Sequence, residues 1–514
     1  MVASRAIEAK TVRARARLAT LEAWLGVLVL AACGGGGDAD SVQASDPPPV
    51  AAVPVGARSP APSAPAPSAA GAPANADRDA LPALPEPPAD ALLVTQSCAS
   101  GQCAVPDDDA DDSLAIQAAL DGAKAGQWLV FPAGRYLIDR SLVVRVAGLT
   151  LWGRGATLHA TNPDDQSILV EADGTSVLAF TLTAATAKRG KTHRHTRIAV
   201  YPRGRQPVHD TVIRGNRIAP AGEPGTSLAH GGSASGIFLS SADGFLVAEN
   251  TVVRTLADAI HVTGGSKNGR VIGNTVRENG DDMIAMVSYA YPKDVRSARE
   301  VEDDIAARAE RGQVRNVVVA RNDLAGQYWG RGLTVVGGRD ITIRDNAISN
   351  TAHAAAILLV REQSYRTFGI ENVVVEGNRI DEVQTQSPPY DFDGKFARGG
   401  RTGHAAIEVH SSLSDDEASL PTLRDAFAVK KVAIRGNTIR ASATSGIAVG
   451  AGNGRVHGVQ IENNALADIR SAEPISIRDS AVAHCAGNSV DQAALAVARC
   501  DAAPAATSIA GAGG

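Results

Sequence analysis

One short pattern returns along the chain: a β-branched run, an asparagine, then a second short run. In order it reads VIRGNRI, LVAENTV, VIGNTV, VVARNDL, ITIRDNAI, VVVEGNRI, VAIRGNTI, VQIENNAL and HCAGNSV. The asparagines are Asn216, Asn250, Asn274, Asn322, Asn346, Asn378, Asn437, Asn464 and Asn488. Asn250 and Asn274 are 24 residues apart, as are Asn322 and Asn346; Asn274 to Asn322 is 48, two periods. A unit this short cannot bury its own apolar side, so it must stack on copies of itself. Three short strands with their turns fill about 24 residues, one coil of a parallel β-helix. The spaced leucines of a leucine-rich repeat are missing, and so is any helical period. Asparagine is expected to take the left-handed turn conformation and to hydrogen-bond from coil to coil. The fold class that follows is all-β: a single-stranded parallel solenoid.

A second strand recurs beside the first: SGIFLSS, DAIHVTG, DMIAMVS, RGLTVVG, AAILLVR, AAIEVHS, SGIAVGA and PISIRDS. Its first large aliphatic residues are Ile237, Ile260, Ile284, Leu333, Ile357, Ile407, Ile447 and Ile475. Alternate side chains of a strand share a face, so this row points inward. The next row, Phe238, His261, Ala285, Thr334, Leu358, Glu408, Ala448 and Ser476, is expected to point outward. Two positions before the inward row stand Asp258, Asp282 and Arg331 on consecutive coils, with Asp281 beside Asp282. Stacked strands lie ~4.8 Å apart, so the three aspartates are expected to cluster, bordered by His261 and Arg331. Two carboxylates, one protonated and one ionised, are the equipment of glycoside hydrolysis, and their mutual repulsion raises one pKa. The alternatives are a turn-forming role for aspartate before a strand and a Ca²⁺ site built on Asp258, Asp281 and Asp282. Glu408 and His410 lie further along the same face as candidate substrate contacts.

The stretch DDSLAIQAALDGAKAGQWLVFPAGRYLI opens the body. Ala115, Ile116, Ala119, Leu120 and Ala123 share one face of a helix over 113–124. Asp111, Asp112, Ala115, Ile116 and Gln117, followed by Pro132, Gly134 and Tyr136, resemble the N-terminal cap of the pectate-lyase-like superfamily. The resemblance covers about residues 107–490. It implies a right-handed parallel β-helix with an N-terminal capping α-helix, and little about the reaction, since that fold hosts hydrolases, lyases, epimerases and adhesins. GDDMIAM resembles the Gly-Asp-Asp-x-Ile-Ala-Ile motif of the polygalacturonases, glycoside hydrolase family 28. That resemblance implies an inverting hydrolase with Asp282 as acid and Asp258 and Asp281 on the water. The chain departs from the family at Arg331, where the family carries histidine between two glycines. The nearest counterpart of the family's Arg-x-Lys is Arg361. A hydrolase of this type needs no cofactor. The second reading is a polysaccharide lyase using Ca²⁺, with Arg331 as base. The third is a non-catalytic carbohydrate-binding or surface scaffold.

At the N-terminus, basic residues precede WLGVLVLAAC, and Leu30-Ala31-Ala32-Cys33 resembles a bacterial lipobox. This implies a signal over 1–33, lipidation of Cys33, export, and a lipid anchor in the bacterial membrane facing the periplasm or cell surface. Residues 34–96, rich in Pro, Ala and Ser, read as a disordered tether. The β-helix is expected over 97–500 and a disordered tail over 501–514. Cys98 with Cys103, and Cys485 with Cys500, are expected to form disulfides in an exported protein. A net charge of −5 is unremarkable, so nucleic acid is not an expected partner; the carboxylate cluster and the family resemblance imply polysaccharide. Three insertions break the period, at 188–197, 292–312 and 386–404. The first is basic and is suited to contact anionic sugars; its His193 and His195 read as part of a solvated cationic loop, with metal binding as the alternative. The second has apolar residues at helical spacing and is expected to wall the cleft. The third carries Tyr390, Phe392 and Phe396 in a chain only 4% aromatic; with Trp329 it reads as a sugar-stacking surface.

Overall fold

The computed structural model describes residues 79–502, apart from 163, 185–188, 191, 223–233, 293, 296, 480, 482 and 498. Cys33, the signal, most of the tether and most of the tail lie outside the described residues. Residues 35–84 form a unit apart from the body; of it only 79–84 are described, without helix or strand.

From Leu92 the chain winds through three long sheets of 14, 13 and 11 strands. Neighbouring strands of a sheet come from successive coils, and their pairing is parallel. The architecture is a parallel β-helix. Two small hairpins pair antiparallel, Cys98–Ala99 with Gln102–Cys103 and Ser489–Val490 with Ala493–Ala494. The disulfides Cys98–Cys103 and Cys485–Cys500 form at these two ends.

The asparagines stack as a buried ladder. The Asn274 main-chain N–H and Nδ2 both donate to Asn322 Oδ1 at 2.9 Å, and Nδ2 also donates to Val247 O at 3.0 Å. The link repeats from Asn216 to Asn488. The turn conformation belongs to the residue before. Gly215, Glu249, Gly273, Arg321, Asp345, Gly377, Gly436, Asn463 and Gly487 have positive φ, and the ladder asparagines do not. The physical division is clear: one residue reverses the chain, and the next aims its amide at the coil above.

The inward row pairs as aligned, Ile237 with Ile260, Ile284, Leu333, Ile357, Ile407, Ile447 and Ile475 in turn. All eight join one core that runs the length of the helix. The next row stays outside that core, as a row that points outward must, yet Phe238, His261, Ala285, Thr334, Leu358, Ala448 and Ser476 are buried. Phe238, Ala285 and Leu358 pack in small clusters on the outer side of the sheet. The 292–312 insertion forms two short helices, Arg299–Glu302 and Ile305–Gly312. They pack with the helices Asp415–Ser419 and Pro421–Ala426 around Tyr291, Val301, Ile305, Leu423 and Phe427. Arg361 and Glu417, both fully buried, pair beneath this small core.

At the N-terminal end the capping helix spans Ser113–Gly122, two residues shorter than its apolar pattern suggests. Gln117 accepts from Val143 N at 2.8 Å and donates to Val143 O at 2.9 Å, tying the helix to the coil beneath. Asp112 accepts the main-chain N–H of Val105 and Leu137, and burial pushes its carboxyl up to about 6.

Candidate active site

The site forms where Asp258–Thr263, Ile284–Val287 and Leu333–Val336 stack as neighbours in the 11-stranded sheet. Asn279 Nδ2 donates to the carbonyls of Asp281 and Asp282 at 2.7 and 2.9 Å, shaping the turn that presents both carboxylates. Gly280 has no room for a side chain: a Cβ there would sit 2.3 Å from Leu256 O. On the next coil a Cβ on Gly330 would lie 2.4 Å from the Asp281–Asp282 peptide, and one on Gly332 would lie 2.4 Å from Ala356 O. The glycines around Arg331 are therefore demanded by close approach of backbone to backbone.

The three aspartates come together. One oxygen from each of Asp258, Asp281 and Asp282 lies within 4.8 Å of the others. Their exposures are 4%, 7% and 5%, and that of His261 is 1%. Asp258 Oδ2 meets His261 Nδ1 at 2.6 Å, and Oδ1 accepts the Asp282 N–H at 3.1 Å. Asp282 Oδ1 accepts the Arg331 N–H at 2.8 Å, and Oδ2 accepts the Thr334 hydroxyl at 2.9 Å. The Arg331 guanidinium lies 3.7 Å from Asp282 and 2.6 Å from Glu362. Arg189 reaches Asp281 at 3.3 Å and Asp393 at 3.4 Å.

Burial dominates the electrostatics. It pushes Asp282 up to about 8, reinforced by the negative charges of Asp258 and Asp281 and opposed by Arg331 and the Thr334 hydroxyl. Asp281 is raised to about 6 by burial and by Asp258, and held down by Arg189 and Lys395. Lys395 is itself lowered, by burial and by the charge of Arg189. Asp258, His261, Asp282, Arg331, Glu362 and Tyr365 line a cavity of about 20 Å³, room for one water molecule.

The remaining residues expected at the site fall elsewhere on the face. Trp329 is half-buried and stacks on His353 at 4.1 Å, with Lys395 5.3 Å above its ring. Tyr390 packs against Tyr328 and Phe392 under the Arg254 guanidinium. Both rings are half-buried against these neighbours, and Phe392 is exposed. Glu408 and His410 sit 3.4 Å apart, three coils from Asp282, and line a separate hollow of about 230 Å³ with Arg478 and Asp479. His193 stacks on Tyr201 and His195 bonds Thr192. Arg361 points away from the carboxylates, into its pair with Glu417; the residue that meets Arg331 is its neighbour Glu362. The 292–312 helices pack on the 413–427 segment.

Sequence reasoning missed Arg189, Glu362, Tyr365, Asp393 and Lys395. Glu362 directly follows the strand Ile357–Arg361, so continuing the register would have found it. Lys395 opens the short helix Lys395–Gly399, and Arg189, Tyr365 and Asp393 sit on loops; no period encodes the folded course of these insertions.

A family model described as a right handed beta helix region matches residues 229–412. The chain is a right-handed parallel β-helix. Among solved structures it resembles the catalytic unit of a thermostable GH87 α-1,3-glucanase from Streptomyces thermodiastaticus strain HF3-3. The TM-score is 0.51 at 18% identity, covering 79% of this chain and 70% of that one. The Agl-KA catalytic domain gives 0.53 at 16% identity, covering 80% and 70%. A tailspike protein double mutant of E. coli bacteriophage HK620, in complex with a pentasaccharide, gives 0.50 at 12% identity, covering 78% and 66%. No curated protein matches the sequence.

Proposed function

We propose that this protein is a polysaccharide hydrolase whose acid is Asp282. The observation that carries the reading is a buried aspartic acid, pushed up to about 8, in a cluster with two further carboxylates. At neutral pH it holds a proton ready for a glycosidic oxygen, with the carboxyls of Asp258 and Asp281 beside it. The structural resemblance to a GH87 glucanase and to a tailspike with bound pentasaccharide agrees with a carbohydrate substrate. The two disulfides suit an exported protein.

Arg331 serves better as a positioning residue than as the base of a lyase. Its guanidinium is held between Asp282 and Glu362, whose charges outweigh its burial and keep it protonated. Nor does the cluster suit Ca²⁺, which takes 6–8 oxygen ligands. Oxygens of Asp258, Asp281 and Asp282 already meet donors on His261, Asp282, Arg331, Thr334 and Arg189.

The test is a screen of the protein on acidic and neutral polysaccharides, following new reducing ends and the absorbance of unsaturated products, with and without chelator. Reducing ends without that absorbance, insensitive to chelator and reduced about 10²–10⁴-fold in Asp282→Asn, support the reading. Unsaturated products lost on chelation overturn it in favour of a lyase. Binding without cleavage overturns it in favour of a scaffold.

A further inference from the structure

The cluster leaves open which atom takes the proton from the attacking water. In inverting glycosidases acid and base stand about 6.5–9.5 Å apart, with the water between them. Asp258 and Asp282 approach more closely than that. Asp258 is also fully engaged, Oδ1 with the Asp282 N–H and Oδ2 with His261. Asp281 is held by Arg189.

His261 offers a further acceptor beside the cluster. Asp258 Oδ2 accepts at 2.6 Å, so the proton of a neutral ring resides on Nδ1 and the lone pair on Nε2. Nε2 is buried and has no hydrogen-bond partner among the described residues. An unpartnered buried acceptor is costly in a folded protein and calls for a ligand. The ring lines the cavity of about 20 Å³ together with Asp282, Arg331, Glu362 and Tyr365. Phe238, on the coil before, stacks against it at 5.3 Å and 14°, fixing its plane.

We infer that His261 Nε2 is the general base of the hydrolysis, with Asp258 as the residue that orients it. The inference rests on the hydrolase reading above. In the step, Nε2 takes one proton from water as the water oxygen bonds to the anomeric carbon. The glycosidic C–O bond breaks, and its oxygen takes the proton of Asp282. One water is consumed, leaving His261 as imidazolium and Asp282 as carboxylate. Return of a proton through solvent resets both. The titratable and charged groups that line the cavity with His261 are Asp258, Asp282, Arg331, Glu362 and Tyr365.

The experiment uses the polysaccharide on which the protein releases reducing ends. NMR of the first products is expected to show inversion at the anomeric carbon. His261→Gln is expected to lose about 10²–10⁴-fold in kcat, with sodium azide restoring part of it as glycosyl azide. Asp282→Asn loses a similar factor that azide does not restore. Retention of configuration, or a His261→Gln variant within threefold of the native rate, overturns the inference while leaving a hydrolase. Full activity in Asp282→Asn, or no cleavage of any polysaccharide, overturns the hydrolase reading and the base with it. Should His261→Gln fail to fold, Asp258→Asn and the anomeric outcome of the native protein decide.

Discussion

Asp282 Oδ1 accepts the main-chain N–H of Arg331 at 2.8 Å, so the carboxyl read here as the acid is held by the backbone of the next coil. Its other oxygen takes the Thr334 hydroxyl at 2.9 Å. Both bonds favour the charged form, and burial overrides them. A group pinned at both oxygens changes its proton affinity without changing its place.

Thr334→Val removes one of those bonds and keeps the shape. The Asp282 carboxyl then loses a stabiliser of its anion, and its pKa rises by roughly one unit. The alkaline limb of kcat/KM moves up by the same amount, read from a pH–rate profile. An unmoved limb would detach it from Asp282.

Stability carries the mirror image of this effect. Asp282 keeps its proton to about 8 in the folded chain, against 3.8 for an ordinary aspartate. The folded state therefore binds the extra proton between about pH 4 and pH 8, and the stability linked to this group falls as pH rises through that window. Asp282→Asn cannot ionise. Its melting temperature relative to the native protein should climb from pH 4 to pH 8 and then level off, as calorimetry across the range would reveal.

Gly330→Ala tests the close approach that seats the cluster. The added Cβ would fall 2.4 Å from the Asp281–Asp282 peptide and 2.5 Å from Asp281 Oδ1. Backbone must move, at a cost of about 1–3 kcal/mol. Activity should drop at least tenfold while the far-ultraviolet spectrum of the sheets persists. Native activity with native melting would show that the turn yields freely.

Asn322→Ala interrupts the ladder. Asn322 Oδ1 accepts the Asn274 N–H and amide, and its own Nδ2 donates to Val271 O and Asn346 Oδ1. The substitution strands several buried polar groups at about 1–3 kcal/mol each. Urea unfolding should lose about 3 kcal/mol or more. A loss under about 1 kcal/mol would mean that water replaces the amide.

The period of the asparagines and the inward row from Ile237 to Ile475 determined the solenoid and its register, because parallel stacking repeats one local geometry and the side-chain period of a strand is two. The same rule placed Asp258, Asp282 and Arg331 on consecutive coils. It misassigned the left-handed position to asparagine, because the pattern alone does not separate the residue that turns from the residue that bonds. It pointed the outer row outward and did not foresee its burial. Only the tertiary structure brings Arg189 to Asp281, 92 residues away in sequence, and Glu362 to Arg331. Burial raises the Asp282 and Asp281 pKa values, and Arg189 and Lys395, carried by insertions, hold Asp281 down. The repeat thus dictates where the carboxylates stand, and the covering insertions decide how tightly they hold their protons.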